Sequence, residues 1–206
     1  CFFWKIEVFE SGICSVVHIP TKYKSQTLAI TKNKQTHDIT ARKQMERFSA
    51  WLAVAKLDSK KHQLEGMKWV LERESNPTVG PPGGFLCDEM GLGKTVMMIG
   101  AIMTNFKLHN LIVVPRALLQ QWRAIILKWC GHKVLVYHGY KAKSVKITDL
   151  VNAPIVLTTY GMIATRKAKD YKSLLWEVEW DRLICDEAHH LRNAKSNMLK
   201  CAWSHY

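Results

Sequence analysis

The sequence predicts an α/β domain in which helices cover both faces of a mainly parallel β-sheet. From Phe85 onward, short apolar runs alternate with longer stretches of helical periodicity. The apolar runs are continuous, which is typical of strands buried on both faces, whereas half-exposed strands alternate apolar and polar residues. Breaker residues such as Pro115 end a run before the next helix begins. We therefore expect buried parallel strands that are connected by helices.

The first 44 residues are predicted to stand apart from this domain. Residues 2–19 contain two stretches that alternate as strands do around Ser11-Gly12, which predicts a small β-hairpin packed as an appendage. Residues 21–43 are polar and basic without a clear period, which favours a linker over an exposed arm that contacts DNA. The chain begins with Cys1 and lacks a signal-peptide pattern, so we expect a fragment of a longer protein.

The α/β domain is expected to span residues 45–206 and to begin with two helices. The face of the first helix would be formed by Met45, Phe48, Leu52 and Ala55. The second helix is "KHQLEGMKWVLERE", and the loop "SNPTVGPPGG" ends it because that segment cannot continue a helix.

Strands and helices then follow in alternation. The predicted strands are "FLC", "LIVV", "KVLVYH", "IVLTTY" and "RLICDE". Two amphipathic or apolar helices are predicted between them, "KTVMMIGAIMTNF" and "ALLQQWRAIILKW". Trp122 and Trp129 lie seven residues apart on the second of these helices, so we predict that both pack in the core.

The composition describes a basic globular protein. The 30 Lys and Arg residues exceed the 17 Asp and Glu residues by 13. This excess favours a polyanionic partner, although a solvated lysine-rich surface explains it equally well. None of the six cysteines forms a C-x-x-C pair, which favours a reducing, intracellular compartment. No apolar run approaches the ~20 residues of a membrane span.

The segment "DEMGLGKT", residues 88–95, has the features of a phosphate-binding loop. Gly91 and Gly93 let backbone amides approach an anion, Lys94 can neutralise the β- and γ-phosphates, and Thr95 can bind Mg²⁺. The general pattern has a glycine where this chain has Asp88. That position belongs to the entry of the loop, so the exchange removes no phosphate-contacting group.

A second signal is the segment "RLICDEAHH", residues 182–190. Asp186 can hold Mg²⁺ through water, and Glu187 can orient and polarise an attacking water. An acidic cap between a strand and a helix would explain this segment alone. Because it follows the phosphate loop after several strand–helix units, the two signals together predict a site for ATP hydrolysis. The adjacent pair His189 and His190 is too small a set to predict a metal site.

Four segments in order resemble motifs I, Ia, Ib and II of the Swi/Snf-type ATPases of helicase superfamily two. They are "DEMGLGKT", "LIVVPRALLQQW", "IVLTTYGMI" and "CDEAHHLRN". In that family motif I usually reads D-[DE]-M-G-L-G-K-T, so Asp88 matches the family pattern. The resemblance covers about residues 59–200. It implies a P-loop lobe of the RecA-like type, the first of two such lobes in an ATP-driven translocase on double-stranded DNA. The "W-x-L-x-R-E" spacing and the "GGFLCDEMGLGKT" that follows it resemble the branch of the family used in DNA repair and transcript release.

The resemblance also implies roles for individual residues. Gln63 takes the adenine-reading position, His189 couples the ATP site to the DNA site, Lys94 and Glu187 serve catalysis, and Thr95 and Asp186 hold Mg²⁺. The full set expected to contact ATP is Gln63, Asp88, Glu89, Met90, Gly91, Leu92, Gly93, Lys94, Thr95, Asp186 and His189. The expected contacts to the DNA backbone are Arg116, Gln121, Thr158, Thr159 and Tyr160.

Two other functions stay open at the level of sequence. One is an RNA-directed helicase lobe, although RNA helicases of the DEAH type commonly carry a different phosphate loop. The other is a catalytically incomplete binding module. The resemblance places the arginines that complete catalysis on a second RecA-like lobe, so we expect these 206 residues alone to hydrolyse ATP very slowly. The expected partners are double-stranded DNA and that second lobe, with no membrane, and a nuclear location in a eukaryote.

Overall fold

The computed structural model describes residues 15–18, 33–75, 83–89, 91–163 and 173–191. The strands in this part of the chain are β1 (Ser15–His18), β2 (Gly83–Leu86), β3 (Asn110–Val114), β4 (Leu135–Tyr137), β5 (Ile155–Thr159) and β6 (Arg182–Cys185). The helices are α1 (Asn33–Val54), α2 (Lys61–Ser75), α3 (Lys94–Thr104), α4 (Leu119–Cys130), α5 (Ile147–Asn152) and α6 (Tyr160–Ile163). Each of the five predicted strands and each predicted helix of the α/β domain is present.

The strands form one sheet in the order β2-β1-β6-β3-β5-β4. Strand β3 pairs in parallel with β5 and β6, and β4 pairs in parallel with β5. Strand β1 is antiparallel to both β2 and β6, so these two strands run in the same direction. The prediction of a mainly parallel sheet is confirmed, and the carboxyl ends of all strands except β1 lie at one edge.

The position of β1 corrects the expectation of an appendage. The backbone of Val16 pairs with Phe85 of β2 on one side and with Cys185 of β6 on the other. One inserted strand thereby satisfies the backbone groups of two strand edges that would otherwise be open. The segment therefore lies inside the main sheet. The other strand of the predicted hairpin, residues 2–10, lies outside the described residues.

Helices cover both faces of the sheet, as predicted. Successive side chains of β3 point to opposite faces. Ile112 and Val114 join the core formed with α1 to α4, and Leu111 and Val113 join the core formed with α5 and α6. Both cores consist of aliphatic, methionine and aromatic side chains, so burial of apolar surface on two faces stabilises the central sheet. None of the described helices is both long enough and apolar enough to cross a membrane.

Helix α1 begins within the segment that the sequence predicts as a linker. It starts at Asn33 and continues to Val54. No glycine or proline interrupts these residues, which permits a helix even where the polar residues show no clear period. The predicted apolar face is real, because Phe48 and Leu52 are 0% and 1% exposed. Tertiary packing of that face stabilises the helix.

The amino edge of the sheet is held by a buried ion pair between Arg182 and Glu74. Both side chains are 0% exposed, and two nitrogens of Arg182 lie 2.7 Å from the two carboxylate oxygens of Glu74. The same guanidinium donates to the side chain of Asn110 and to the backbone oxygen of Asn105. The pair joins the end of α2 to the start of β6.

Candidate nucleotide-binding site

The phosphate loop and the acidic pair lie on the same edge of the sheet. The loop follows β2, and Asp186 and Glu187 follow β6. Only β1 separates these two strands. Neighbouring strands are about 4.8 Å apart, so the two strand ends are roughly 10 Å apart. The register is level, since β1 pairs Val16 with both Phe85 and Cys185. The topology thus brings together the two segments that the sequence predicts as halves of one site.

The loop conformation depends on two glycines. Gly91 and Gly93 have φ angles of 84° and 85°, a region that side chains rarely adopt. Helix α3 begins directly after them at Lys94, and no side chain of the described residues caps its first turn. The free amides of the first turn and the positive end of the helix dipole form a binding site for an anion.

Lys94 folds back over its own loop. Its Nζ donates hydrogen bonds to the backbone oxygens of Asp88, at 2.5 Å, and Glu89, at 2.9 Å. These partners are neutral, so neither bond cancels the charge of the ammonium group. In this structure Asp88 and Glu89 contribute backbone oxygens that position Lys94. Met90, which the sequence predicts as part of the site, lies outside the described residues.

Gln63 joins the phosphate loop to helix α2. Its Nε2 donates to the backbone oxygen of Leu92 at 3.1 Å, and His62 Nε2 lies 2.9 Å from the same oxygen. Gln63 is only 4% exposed, and its Oε1 has no hydrogen-bond partner among the described residues. A buried amide oxygen without a partner can accept a hydrogen bond from an N–H donor such as the amino group of adenine. The residues present therefore fit an adenine nucleotide.

Asp186 and Glu187, the acidic pair, are constrained by burial, by a hydrogen bond and by the backbone conformation. Asp186 is 8% exposed, and its Oδ1 accepts a hydrogen bond from the backbone N–H of Glu187 at 3.1 Å. Glu187 has a φ of 55°, which costs on the order of 1–3 kcal/mol for a residue other than glycine. Its Oε2 is buried and lacks a hydrogen bond within the described chain, although His189 Nδ1 lies 3.3 Å away. Strain of this kind is typical of functional sites.

A magnesium ion suits the oxygen donors at this edge. The Thr95 hydroxyl and the Asp186 carboxylate are hard oxygen ligands of the kind that Mg²⁺ prefers. The described residues contain no cluster of three or more His, Cys, Asp or Glu that could hold a metal by themselves. Mg²⁺ normally binds through one or two protein groups together with waters and substrate phosphates, so a sparse donor set fits it.

Trp122 is a residue of this site that sequence reasoning missed. The sequence predicts it as a core residue, and it is 2% exposed in the core. Its indole Nε1 also donates to Asp186 Oδ2 at 2.7 Å. Periodicity gives burial but not the hydrogen-bond partner. The available signal is that a buried indole N–H usually needs an acceptor, and α4 follows β3 at the same edge as Asp186.

The residues predicted to contact DNA fall into two groups. Arg116 and Gln121 are exposed, in the segment that follows the carboxyl end of β3. Thr158, Thr159 and Tyr160 are 0%, 4% and 6% exposed. Each hydroxyl of this second group lies within hydrogen-bond distance of another part of the protein, so these side chains face inward.

The inward-facing hydroxyls tie β5 to its neighbours. Thr158 donates to the backbone oxygen of Tyr137 at 2.8 Å, and Thr159 Oγ1 lies 3.0 Å from His138 Nδ1. Tyr160 donates to the backbone oxygen of Asp186 at 2.6 Å. Burial, reinforced by the nearby Cys185, Asp186 and Glu187, raises the pKa of Tyr160. The phenol therefore stays protonated and remains a donor.

A row of rings connects the start of α6, directly after β5, to the acidic pair. The Tyr160 ring lies 5.1 Å from the His190 ring, which stacks on His189 at 4.4 Å. His189 then reaches Glu187 at 3.3 Å. Burial and the neighbouring His189 lower the pKa of His190, while Glu187 opposes this shift. A His190 ring that stays neutral at pH 7 can pack on its neighbours in this way without charge repulsion.

Comparisons with known proteins agree with this arrangement. A family model described as SNF2-related domain matches residues 62–205. The chain is 31% identical over 157 residues to "Transcription regulatory protein SNF2" of Saccharomyces cerevisiae, a match that covers 71% of this chain and 9% of that protein. It is 31% identical over 150 residues to "DNA excision repair protein ERCC-6-like" of Mus musculus, covering 68% of this chain and 12% of that protein.

A solved structure shows the same fold. It is described as "Sulfolobus solfataricus SWI2/SNF2 ATPase core in complex with dsDNA". The match has a TM-score of 0.53 and 28% sequence identity, and it covers 71% of this chain and 29% of that chain. The chain thus spans less than a third of the solved relative and about a tenth of the curated ones.

Proposed function

The chain belongs to the SNF2-related domain family, and from this membership we propose that it is the first RecA-like, ATP-binding lobe of an ATP-driven translocase on double-stranded DNA. One observation carries the proposal. The phosphate loop and the acidic pair lie at the same sheet edge, separated only by β1. The α/β fold with a mainly parallel sheet supplies the scaffold. The lobe corresponds to the predicted residues 45–206, extended by the earlier start of α1 at Asn33 and by β1, which lies inside the same sheet.

The proposed site divides the work of ATP hydrolysis among named residues. The amides after Gly91 and Gly93 and the ammonium of Lys94 bind the phosphates. Gln63 reads the adenine through its unpartnered amide oxygen. Thr95 and Asp186 would hold Mg²⁺, which supplies charge neutralisation for the phosphates.

Glu187 is proposed to orient the attacking water. The backbone of Glu187, directly after Asp186, adopts a left-handed conformation. Its buried Oε2 lacks a hydrogen-bond donor among the described residues. A carboxylate oxygen in this state can accept a hydrogen bond from a water molecule. His189, 3.3 Å from that oxygen, begins the row of rings that leads to Tyr160 at the start of α6. This contact supports the proposed role of His189 in coupling the two sites.

The proposed nucleic-acid partner is double-stranded DNA. The solved Sulfolobus solfataricus relative is a complex with dsDNA, and this chain carries a net charge of +13. Of the five predicted contacts, Arg116 and Gln121 are the two whose side chains are exposed, and we propose that they contact phosphates at the carboxyl edge. Thr158, Thr159 and Tyr160 are buried and face inward, so we assign them to the support of this surface and leave them out of the proposed DNA contacts.

The parent protein is proposed to contain a second RecA-like lobe and to act in the nucleus in chromatin remodelling, repair or transcription. The names of the relatives, which include a transcription regulator and a DNA excision repair protein, support this range. The second lobe would supply the arginines that complete phosphoryl transfer. Because a missing arginine finger lowers the rate by roughly 10³–10⁵, the 206 residues alone should bind ATP but hydrolyse it slowly.

Calorimetric titration with ATP and GTP tests the nucleotide site. Lys94→Ala should lose measurable binding of Mg-ATP, because the ammonium is the main countercharge to the phosphates. Gln63→Ala should reduce the preference for ATP over GTP and largely retain phosphate affinity. Lys68→Ala is the matched control, since it removes one exposed charge from α2. Unchanged ATP affinity in Lys94→Ala would contradict the assignment of the nucleotide site.

ATPase assays of the parent protein test the RNA-directed alternative. Stronger stimulation by RNA than by DNA would favour that alternative.

A further inference from the structure

We infer that Trp122 is a positioning residue that fixes the carboxylate of Asp186 for binding the metal of Mg-ATP. The inference rests on the proposed function, because it concerns the same nucleotide site. It adds a residue from α4 to the metal-binding part of that site, which the sequence placed only in the phosphate loop and after β6. The carrying observation is the hydrogen bond of 2.7 Å from the indole N–H of Trp122 to Asp186 Oδ2.

The two carboxylate oxygens of Asp186 each have a separate donor. Oδ2 accepts from Trp122, and Oδ1 accepts from the backbone N–H of Glu187. Two donors from different segments fix both the position and the rotation of a carboxylate plane. An ionised carboxylate offers about four lone-pair sites, so an oxygen that accepts one hydrogen bond can also accept one from a metal-bound water.

The geometry distinguishes this bond from ordinary core packing. A distance of 2.7 Å is at the short end for a nitrogen donor and an ionised oxygen acceptor. Trp122 and Asp186 are 2% and 8% exposed, so water competes little for the bond. Groups that hydrogen-bond a metal ligand orient it, and their loss typically weakens metal binding by roughly 10- to 100-fold.

The same helix contains a natural control, Trp129. It is partly buried against the same core, seven residues after Trp122. Its Nε1 is buried and has no hydrogen-bond partner among the described residues. Replacing Trp129 by phenylalanine therefore removes an indole ring from the same helix without removing a bond to the acidic pair. A purely structural role for Trp122 predicts similar effects of both exchanges on metal dependence.

The test measures ATP affinity with Mg²⁺ and with EDTA in the full 206-residue chain. In Trp122→Phe, the gain in affinity that Mg²⁺ provides should fall by about tenfold. Affinity for metal-free ATP should stay within about twofold of the unaltered chain, because the phosphate loop is not touched. Trp129→Phe should retain both values.

A second variant keeps the test decisive if Trp122→Phe folds poorly. Site-specific replacement of Trp122 by benzothienylalanine preserves the shape of the ring and exchanges the N–H for sulfur. It should reproduce the loss of the Mg²⁺ effect. In the nucleotide-free chain, the indole N–H resonance that disappears in this variant should also shift on Asp186→Asn.

The outcomes separate the two proposals. If the unaltered chain binds Mg-ATP and the Trp122 variants show the same Mg²⁺ effect, the positioning role is wrong and the proposed function stands. An equal loss of the Mg²⁺ effect in Trp129→Phe also overturns the positioning role. If the unaltered chain binds no ATP, the proposed function fails, and the inference that rests on it fails too.

Discussion

Two glycines of the phosphate loop share one backbone conformation but have different surroundings. Gly91 and Gly93 both lie in the left-handed region, with φ of 84° and 85°. A Cβ on Gly91 would meet nothing within 4 Å, whereas a Cβ on Gly93 would collide with Gln63 Nε2. The side chain of Gln63 is buried and bonded to Leu92, so it cannot move aside without losing that bond.

Replacing each of these two glycines by alanine should have unequal effects on ATP binding. Gly91→Ala and Gly93→Ala should each lose about 1–2 kcal/mol of stability from the left-handed backbone. Only Gly93→Ala should also displace Gln63 and weaken ATP binding by about tenfold or more. Urea denaturation gives the stabilities, and calorimetry gives the affinities. Equal ATP affinities in the two variants would show that the Gln63 contact does not support the nucleotide site.

The chemical roles of residues such as Lys94 and Asp186 can be predicted from the sequence, whereas the hydrogen-bond partners of buried side chains cannot. The pattern around Lys94 and Asp186 specifies an anion site and an acidic strand end wherever it occurs. Trp122 and Trp129 look alike in the sequence, yet the indole of Trp122 donates to Asp186, whereas the buried Nε1 of Trp129 has no hydrogen-bond partner among the described residues. Such a bond depends on how α4 packs on the sheet, which periodicity does not determine.

At the scale of elements, local pattern predicted the strands and tertiary pairing decided where one of them lies. Continuous apolar runs, ended by breaker residues such as Pro115, predicted strands β2 to β6. Strand β1 has only four residues, and its place between β2 and β6 comes from pairing with segments about 70 and 170 residues away in sequence. Long-range pairing of this kind leaves no local signal, so the sequence suggested an appendage.

The buried ion pair between Glu74 of α2 and Arg182 of β6 couples the packing of these two elements. Glu74 accepts two bonds from Arg182 and one from the side chain of Asn105 at 2.6 Å. Since both charged side chains are fully buried, removal of one leaves the other as an uncompensated charge.

Glu74→Ala should therefore destabilise the chain by about 3–5 kcal/mol. Glu72→Ala, at an exposed position of the same helix, should change stability by less than about 0.5 kcal/mol. The double variant Glu74→Leu with Arg182→Met should recover only part of the loss, because apolar groups can replace a buried pair but leave the side chains of Asn105 and Asn110 without these partners. Urea denaturation measures all three, and a loss below about 1 kcal/mol in Glu74→Ala would show that water reaches the pair.

At the scale of the whole molecule, charge rather than any single contact is expected to control DNA binding. The net charge of +13 creates a field that attracts a polyanion, and the candidate contacts are to phosphates. Phosphates carry no base information, so binding should not depend on sequence. Arg116 and Lys107 flank the two ends of β3, which places one cation at the carboxyl edge and one at the amino edge of the sheet.

Fluorescence anisotropy with unrelated DNA duplexes at several salt concentrations tests this expectation. Each phosphate contact releases counterions, so the logarithm of the binding constant should fall linearly with the logarithm of salt concentration, by about 0.9 per contact. Arg116→Ala should reduce this slope by about one and weaken binding to all duplexes equally. Lys107→Ala removes the same unit charge at the opposite edge and should leave the slope unchanged. Strong preference for one duplex, a flat salt response, or equal slopes for Arg116→Ala and the unaltered chain would each contradict a phosphate contact by Arg116 at the carboxyl edge.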